Sequence, residues 1–393
     1  MSDTERWLLP EGMEELLPEQ AEQIEFLRRS ILKLFQRWGY RYVMTPLVEH
    51  LDSLLVGAGN DIGKHTFKLT DELTGRLLGV RADITPQVSR IDAHRIKQNA
   101  PSRLSYAGPV LLTQPRELGG SRNPIQIGAE IYGHAGIESD IEILELMISA
   151  LNRSNLQDVS LDLGHVGIFR KLISQFQLDK DEEQQLFDAL QRKAVTDIKE
   201  LLSTKSTECQ QTFCQLIELN GDESCLSEAK KSLGKHNPEV LDSIQELENI
   251  YLGLKSRNKS INVHFDLSEL RGYQYHTGLV FAAYVPGYWQ AIAQGGRYDN
   301  VGKVFGRSRC ATGFSMDLRA ICNLLPPYSS DNNGIFAPAN NDSELLNKIR
   351  ELRESGECVI RELPGTDGID QYGGCDRVLK NTNGLWQVEK LEK

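Results

Sequence analysis

Residues Pro18–Pro46 read PEQAEQIEFLRRSILKLFQRWGYRYVMTP, and the order of signals in that stretch decides the fold. Ile24, Leu27, Ile31, Leu34, Phe35 and Trp38 recur at three- and four-residue steps, which places them on one face of a helix over residues 19–38. Pro18 suits the first turn, where its missing amide has no partner to lose, and Gly39 suits the position just past the end. A β-prone run from Tyr40 to Met44 follows and stops at Thr45-Pro46. Proline there removes a ladder donor, as at a strand end or a sheet edge. A long helix, a short strand and then a proline is a specific arrangement, and the rest of the chain is read around it.

Downstream, residues 77–81 read as a strand, and Asp83-Ile84-Thr85-Pro86 opens a helix through Arg95 with Asp83 or Thr85 as its cap. Residues 104–112 and 125–132 read as two strands joined by a polar loop, Thr113 to Pro124, which carries Gly119-Gly120-Ser121 and is expected to move. Ser139-x-x-Glu142 has the capping-box pattern, ahead of a helix with Ile141, Leu144, Ile148 and Leu151 on one face. From Phe169 to Arg257, Gln, Glu, Lys and Leu dominate and glycine is rare, so this part reads as an all-helical insertion with a solvated charged face and no chemistry of its own. Strands return at 261–267, 279–285 and 289–294, and a helix over 316–325 follows Thr312-Gly313-Phe314-Ser315. Short turns rather than crossover helices link these strands, so the sheet should be largely antiparallel. Pro326-Pro327 and Ser329 to Gly334 read as a linker. Beyond it lies a small α/β piece: a strand at 335–337, a helix capped by Asp342, and strands at 358–363, 376–379 and 386–388.

Composition narrows the class. With 40% hydrophobic and 25% charged residues the chain is an ordinary globular protein. No apolar run is long enough to span a bilayer, and the acidic start Met1-Ser2-Asp3-Thr4-Glu5 has no signal-peptide pattern, so a cytoplasmic protein is expected. Seven scattered cysteines lack zinc spacing and read as free thiols in a reducing compartment; neither metal nor cofactor is expected. The formal net charge is −11, and residues 331–393 carry eight Lys+Arg against twelve Asp+Glu, 8 − 12 = −4. Long nucleic acids are held mainly by phosphate neutralisation, so this balance argues against them.

Three segments carry the chemistry. The first is Arg81-Ala82-Asp83-Ile84-Thr85 together with Gln126-Ile127-Gly128-Ala129-Glu130; the second is Leu270-Arg271-Gly272-Tyr273-Gln274-Tyr275-His276-Thr277-Gly278; the third is Gly295-Gly296-Arg297-Tyr298-Asp299. In that order, over roughly residues 5–325, they resemble the histidine-binding signatures of histidyl-tRNA synthetase, a class II aminoacyl-tRNA synthetase, and the helix–strand–Pro46 element resembles the first motif of that class. The resemblance implies an α+β fold: a class II synthetase-like antiparallel sheet flanked by helices over residues 1–325, with the insertion at 169–257. Residues 331–393 resemble a shortened anticodon-binding domain. It also implies dimerisation through residues 40–60.

The resemblance further implies a pocket for free histidine. Asp83, Thr85 and Gln126 would receive the ammonium, Arg271 the carboxylate, and Glu130 and Tyr298 the imidazole nitrogens, with Tyr275 and His276 beside them. His276 replaces a family tyrosine, and Asp83 is one methylene shorter than the family glutamate. Each residue also has a plainer reading: Asp83 as a helix cap, Glu130 as a solvated strand residue, Arg271 as half of a salt bridge, Tyr298 as core. Taken singly the two readings are about equal; taken together and in family order, the ligand reading prevails. Gly295-Gly296 reads as a tight turn, since the fuller Gly/Lys phosphate-loop pattern is missing.

The departures are equally informative. The arginines with which the family holds ATP fall on Leu112, in Gly108-Pro109-Val110-Leu111-Leu112-Thr113-Gln114, and on Ala320, in Gly313-Phe314-Ser315-Met316-Asp317-Leu318-Arg319-Ala320. Adenylation needs oriented cations on phosphate, which leucine and alanine do not supply. Arg116 and Arg319 stand nearby, but one helical position turns Arg319 about 100° from the required face. A synthetase-like chain with a histidine pocket and no ATP arginines resembles the regulatory-subunit family of ATP phosphoribosyltransferase. That resemblance implies a chain with no catalytic residues, which joins the short-form catalytic subunit in a hetero-oligomer, activates it, and relays feedback inhibition by histidine in the first step of histidine biosynthesis. The alternatives are an active histidyl-tRNA synthetase and a synthetase-like factor that binds tRNA or a protein.

Overall fold

The computed structural model describes residues 7–56, 60–115, 120–156, 158–234, 237–326, 334–365 and 375–391. Arg116 and Gly119 of the loop expected to move, and linker residues 327–333, lie outside the described residues. The chain divides into two compact units, Met1–Pro326 and Pro327–Lys393.

The first unit is built on a nine-stranded sheet. From edge to edge its strands are Arg41–Tyr42, Ser102–Pro109, Ile125–Tyr132, Ala311–Asp317, Tyr288–Arg297, Leu279–Val285, Ser160–His165, Asn262–Asp266 and Asn220–Gly221. Pairing is antiparallel throughout except for two parallel pairs, Arg41–Tyr42 with Ser102–Pro109 and Ser160–His165 with Asn262–Asp266. The opening helix runs Pro18–Arg37 and buries Ile24, Leu27, Ile31 and Phe35. Each such side chain contributes roughly 1.5–3 kcal/mol relative to exposure. Helix Ile137–Arg153 lies on the same core through Ile141, Leu144, Ile148 and Leu151. A separate antiparallel sheet joins Val48–His50, Leu77–Val80 and Phe67–Thr70.

Several local readings are corrected. Ser139-x-x-Glu142 is not a capping box, because the helix begins at Ile137 after Gly136, with no side-chain cap. Ser139 instead donates to the Gly136 carbonyl, and Glu142 is drawn away by Arg103 and the Tyr40 hydroxyl. Gly295-Gly296 makes no turn; both lie inside the strand Tyr288–Arg297. A Cβ on Gly295 would meet the Gly313 carbonyl at 2.1 Å and the Phe281 ring at 2.7 Å, so glycine there permits close strand approach. Residues 312–317 extend a strand, and the following helix is only Leu318–Asn323.

The insertion is helical, running Val166–Gln175, Lys180–Gln191, Val195–Leu201, Thr207–Glu218, Ser224–Ser232 and Pro238–Arg257, but it also contributes the two-residue edge strand Asn220–Gly221. In the second unit a four-stranded sheet, ordered Val359–Arg361, Gly334–Ala337, Cys375–Thr382 and Leu385–Lys390, carries the helix Ser343–Glu354. Asp342 caps that helix by accepting from the Glu344 amide, and Leu345 and Ile349 are buried beneath it.

Candidate functional site

Two arginines from the sequence motifs fix the scaffold around the site. Arg81 donates from Nε to the Pro109 carbonyl (2.9 Å) and from Nη1 to the Thr45 carbonyl (2.8 Å), tying the Thr45-Pro46 corner to the sheet. Arg297 makes a buried ion pair with Asp140 (2.7 Å) and also reaches Ser139, which anchors the strand end that bears Tyr298. Both are charged groups satisfied inside the protein, as buried charges must be.

Between these anchors lies a cavity of about 760 Å³, within the usual range for a small-molecule site. Asp83, Thr85, Glu130, Arg271, Tyr275, His276 and Tyr298 all line it. Glu130 forms the floor. It comes from the strand Ile125–Tyr132, is only 1% exposed, and accepts hydrogen bonds from the hydroxyls of Tyr106 (3.0 Å), Thr85 (3.2 Å) and Tyr298. Burial pushes its carboxyl up to about 8; the hydroxyls of Tyr298 and Tyr106 oppose that shift, and the charge of Asp83 adds to it. Space for Glu130 comes from the neighbouring strand, since a Cβ on Gly313 would sit 1.5 Å from Glu130 Oε2. The solvated-strand reading of Glu130 therefore fails.

Asp83 lines the cavity, and although it lies one residue before the N-cap Ile84, it also bonds to the start of the next helix. Its Oδ1 accepts from the Thr85 amide (3.0 Å) at the start of the helix Thr85–Ile91 and from Gln126 Nε2 (2.9 Å). Gln126 is the one candidate that does not reach the cavity. Its other amide end accepts from the Ile84 amide (2.9 Å), so one end holds Asp83 and the other the backbone beside it, and its place is behind that carboxylate. Arg271 donates to the Tyr284 hydroxyl (3.0 Å) and stands 3.5 Å from Glu269, half-buried on the cavity wall. The Tyr275 ring stacks on Tyr298 with centroids 4.9 Å apart. Burial lowers His276 to about 4, so its ring is neutral near pH 7. Among the described residues, His276 Nδ1 and the Tyr275 hydroxyl are buried without a hydrogen-bond partner.

Tyr106 was not among the sequence candidates, although its hydroxyl bridges Thr85 (3.0 Å) and Glu130. No motif marks it; only the register that sets Tyr106 opposite Gly128, two residues from Glu130, brings it to the floor. Where ATP arginines would stand, Leu112 is 2% exposed and Ala320 packs on the main core. Arg319 turns to the Glu14 carbonyl (3.3 Å) and does not line the cavity.

Comparison with known proteins places this architecture. The histidyl-tRNA synthetase family profile matches residues 12–321, and the profile of the ATP phosphoribosyltransferase subunit HisZ C-terminal domain matches residues 332–389. Two full-length relatives, each an ATP phosphoribosyltransferase regulatory subunit, are 49% identical. That of Thioalkalivibrio sulfidiphilus covers 100% of both chains, and that of Alkalilimnicola ehrlichii covers 98% of this chain and 96% of its own. The chain belongs to the family of ATP phosphoribosyltransferase regulatory subunits. Within the family, a solved Bacillus halodurans protein described as an ATP phosphoribosyltransferase regulatory subunit/histidyl-tRNA synthetase superposes with a TM-score of 0.85 at 26% identity, covering 96% of this chain and 99% of that one. A histidyl-tRNA synthetase from a Nostoc species, at 20% identity and TM-score 0.75 over 95% of this chain and 91% of that one, shares the fold. The class II synthetase-like fold read from the motifs is thus the observed one, and the chain is a regulatory subunit of an enzyme complex rather than a synthetase at work. Among the described residues no helix is long and apolar enough to cross a membrane, and no group of three His, Cys, Asp or Glu is placed to hold a metal.

Proposed function

We propose that this regulatory subunit binds free histidine in the Glu130 cavity and, in complex with the short catalytic subunit of ATP phosphoribosyltransferase, activates that subunit and relays feedback inhibition. The observation that carries the reading is the convergence of Asp83, Glu130 and Arg271 on one small-molecule cavity. Free histidine brings an ammonium, a carboxylate and an imidazole, and each needs a different partner. Asp83, held through Oδ1, offers Oδ2 to the ammonium; Arg271 offers a forked guanidinium to the carboxylate; Glu130 and Tyr298 meet the imidazole, with Thr85 between them. For histidine to inhibit, it must bind two conformations of the complex unequally.

The same reading includes a dimer of this chain. Tyr42, Met44, Leu47 and Val48 are all exposed along residues 40–60, an apolar run of the kind that interfaces cover. It includes no nucleic acid, in keeping with the net charge of −11. The test is the reconstituted complex, assayed for phosphoribosyl transfer with and without histidine, beside a complex carrying Asp83→Ala. The expected result is inhibition of the parent complex and inhibition shifted to about tenfold higher histidine in the variant, as for a lost charge-assisted bond. Equal inhibition of both would remove histidine from this cavity.

A further inference from the structure

The helical insertion, which carries no motif, reaches the cavity. Gln184, Phe187 and Asp188 of the helix Lys180–Gln191 line its mouth. Their spacing puts them on one face, while Leu186, Ala189 and Leu190 bury the opposite face in the main hydrophobic core. Facing them is the segment Glu269–His276, which bears Arg271, Tyr275 and His276. Tyr273 fastens the two together. Its ring stacks on Phe187 with centroids 5.6 Å apart and meets the edge of Phe169 at 5.1 Å. Its hydroxyl donates to Glu183 (2.5 Å), and burial together with that carboxylate keeps the phenol protonated. On its far side Arg170 donates to the Tyr273 carbonyl and holds its guanidinium 4.8 Å over the ring. A segment clamped this way cannot shift at Arg271 without pulling on Glu183 and Phe187.

We propose that the helix Lys180–Gln191 is part of the ligand site, walling its mouth with Gln184, Phe187 and Asp188, and that Tyr273 is the positioning residue that links this wall to the Arg271–His276 loop. The inference rests on the histidine reading above and extends it. It also sharpens the ligand class. Besides Glu130, whose buried carboxyl holds its proton near neutrality, the cavity presents the carboxylates Asp83, Asp188 and Glu269 against Lys64 and Arg271. That balance suits a zwitterionic amino acid with a flat side chain and disfavours a phosphate-bearing ligand.

Amide hydrogen exchange on the hetero-oligomer with its catalytic subunit, with and without histidine, tests the proposal. Histidine is expected to slow exchange in residues 180–191 as well as 269–276. Phe187→Ala should weaken histidine about fivefold, the equivalent of one ring contact. Tyr273→Leu, which removes both the ring stacked on Phe187 and the donor to Glu183, should weaken histidine about fivefold and reduce the histidine-dependent protection of 180–191. If histidine binds but 180–191 exchanges as before, and Phe187→Ala binds like the parent, the insertion has no part in the site while the histidine reading stands. Protection of 180–191 that persists undiminished in Tyr273→Leu overturns the Tyr273 link. No binding of histidine by the parent complex overturns the histidine reading and this extension with it.

Discussion

By family resemblance, the floor of the cavity and the positions of the ATP arginines correspond to two halves of one active site, and they differ sharply here. At the floor, Glu130 is buried with three hydroxyl partners, a cluster that is costly to desolvate and stable only because every member is paired. At the other positions, Leu112 and Ala320 are packed apolar residues, and Arg319, next to Ala320 in sequence, faces the Glu14 carbonyl. Paired polar groups gather at the cavity floor, where the proposed zwitterion would bind, and apolar packing occupies the positions where the family resemblance puts the ATP arginines. On the proposed reading, the scaffold serves recognition without the means to stabilise a reaction.

Substitutions on the two sides should therefore report different quantities. Glu130→Ala is expected to have the largest effect, weakening histidine by several hundredfold, about 3–4 kcal/mol, because it removes a ligand group and leaves three buried hydroxyls without their acceptor. Titration calorimetry reads it; a loss under tenfold would break the contrast from the polar side. Leu112→Ala should cost about 2–3 kcal/mol of stability in denaturant unfolding while leaving histidine affinity within about threefold. Leu112 lines the cavity with an apolar side chain, so a large loss of affinity there would make it a ligand contact.

A pH series sharpens the same contrast. The folded Glu130 carboxyl titrates near 8 and the unfolded one near 4.5. Between those values the folded state holds the extra proton, so stability is fully present below the lower value and falls as pH rises toward the upper one. The slope from this group is at most about 1.4 kcal/mol per pH unit around neutrality. Glu130→Gln should flatten it, and a parent and variant with parallel pH profiles would show that Glu130 is already ionised. The smallest effect expected is that of Tyr298→Phe, about fivefold weaker histidine for one hydroxyl on the shared carboxylate.

Much of this was legible from the sequence because it is local. The 3.6-residue rhythm of Ile24 to Phe35 marks a helix whoever its neighbours are, and Asp83, Thr85, Glu130 and Tyr298 stand in motifs whose order survives folding. What was not legible depends on register or on distant partners. Gln126 alternates with Gly128 and Glu130 along one strand, yet the Ile84 amide and Asp83 claim both ends of its side chain. The Ser139/Glu142 box fails because the helix begins two residues before Ser139, and Arg103 and Tyr40, far away in sequence, hold Glu142. Gly295-Gly296 looks like a turn until its strand is set against Gly313 and Phe281. The contribution of Phe187 to the cavity could not be read from a charged helical insertion, because it depends on where Tyr273 brings that helix.

The most direct measurement is a calorimetric titration of the purified chain with histidine, run beside Glu130→Ala. Saturable one-site binding by the parent and none by the variant is the expected result. Binding of equal strength in both would contradict the placement of histidine on Glu130, and no heat with the parent would contradict a histidine site preformed in this subunit.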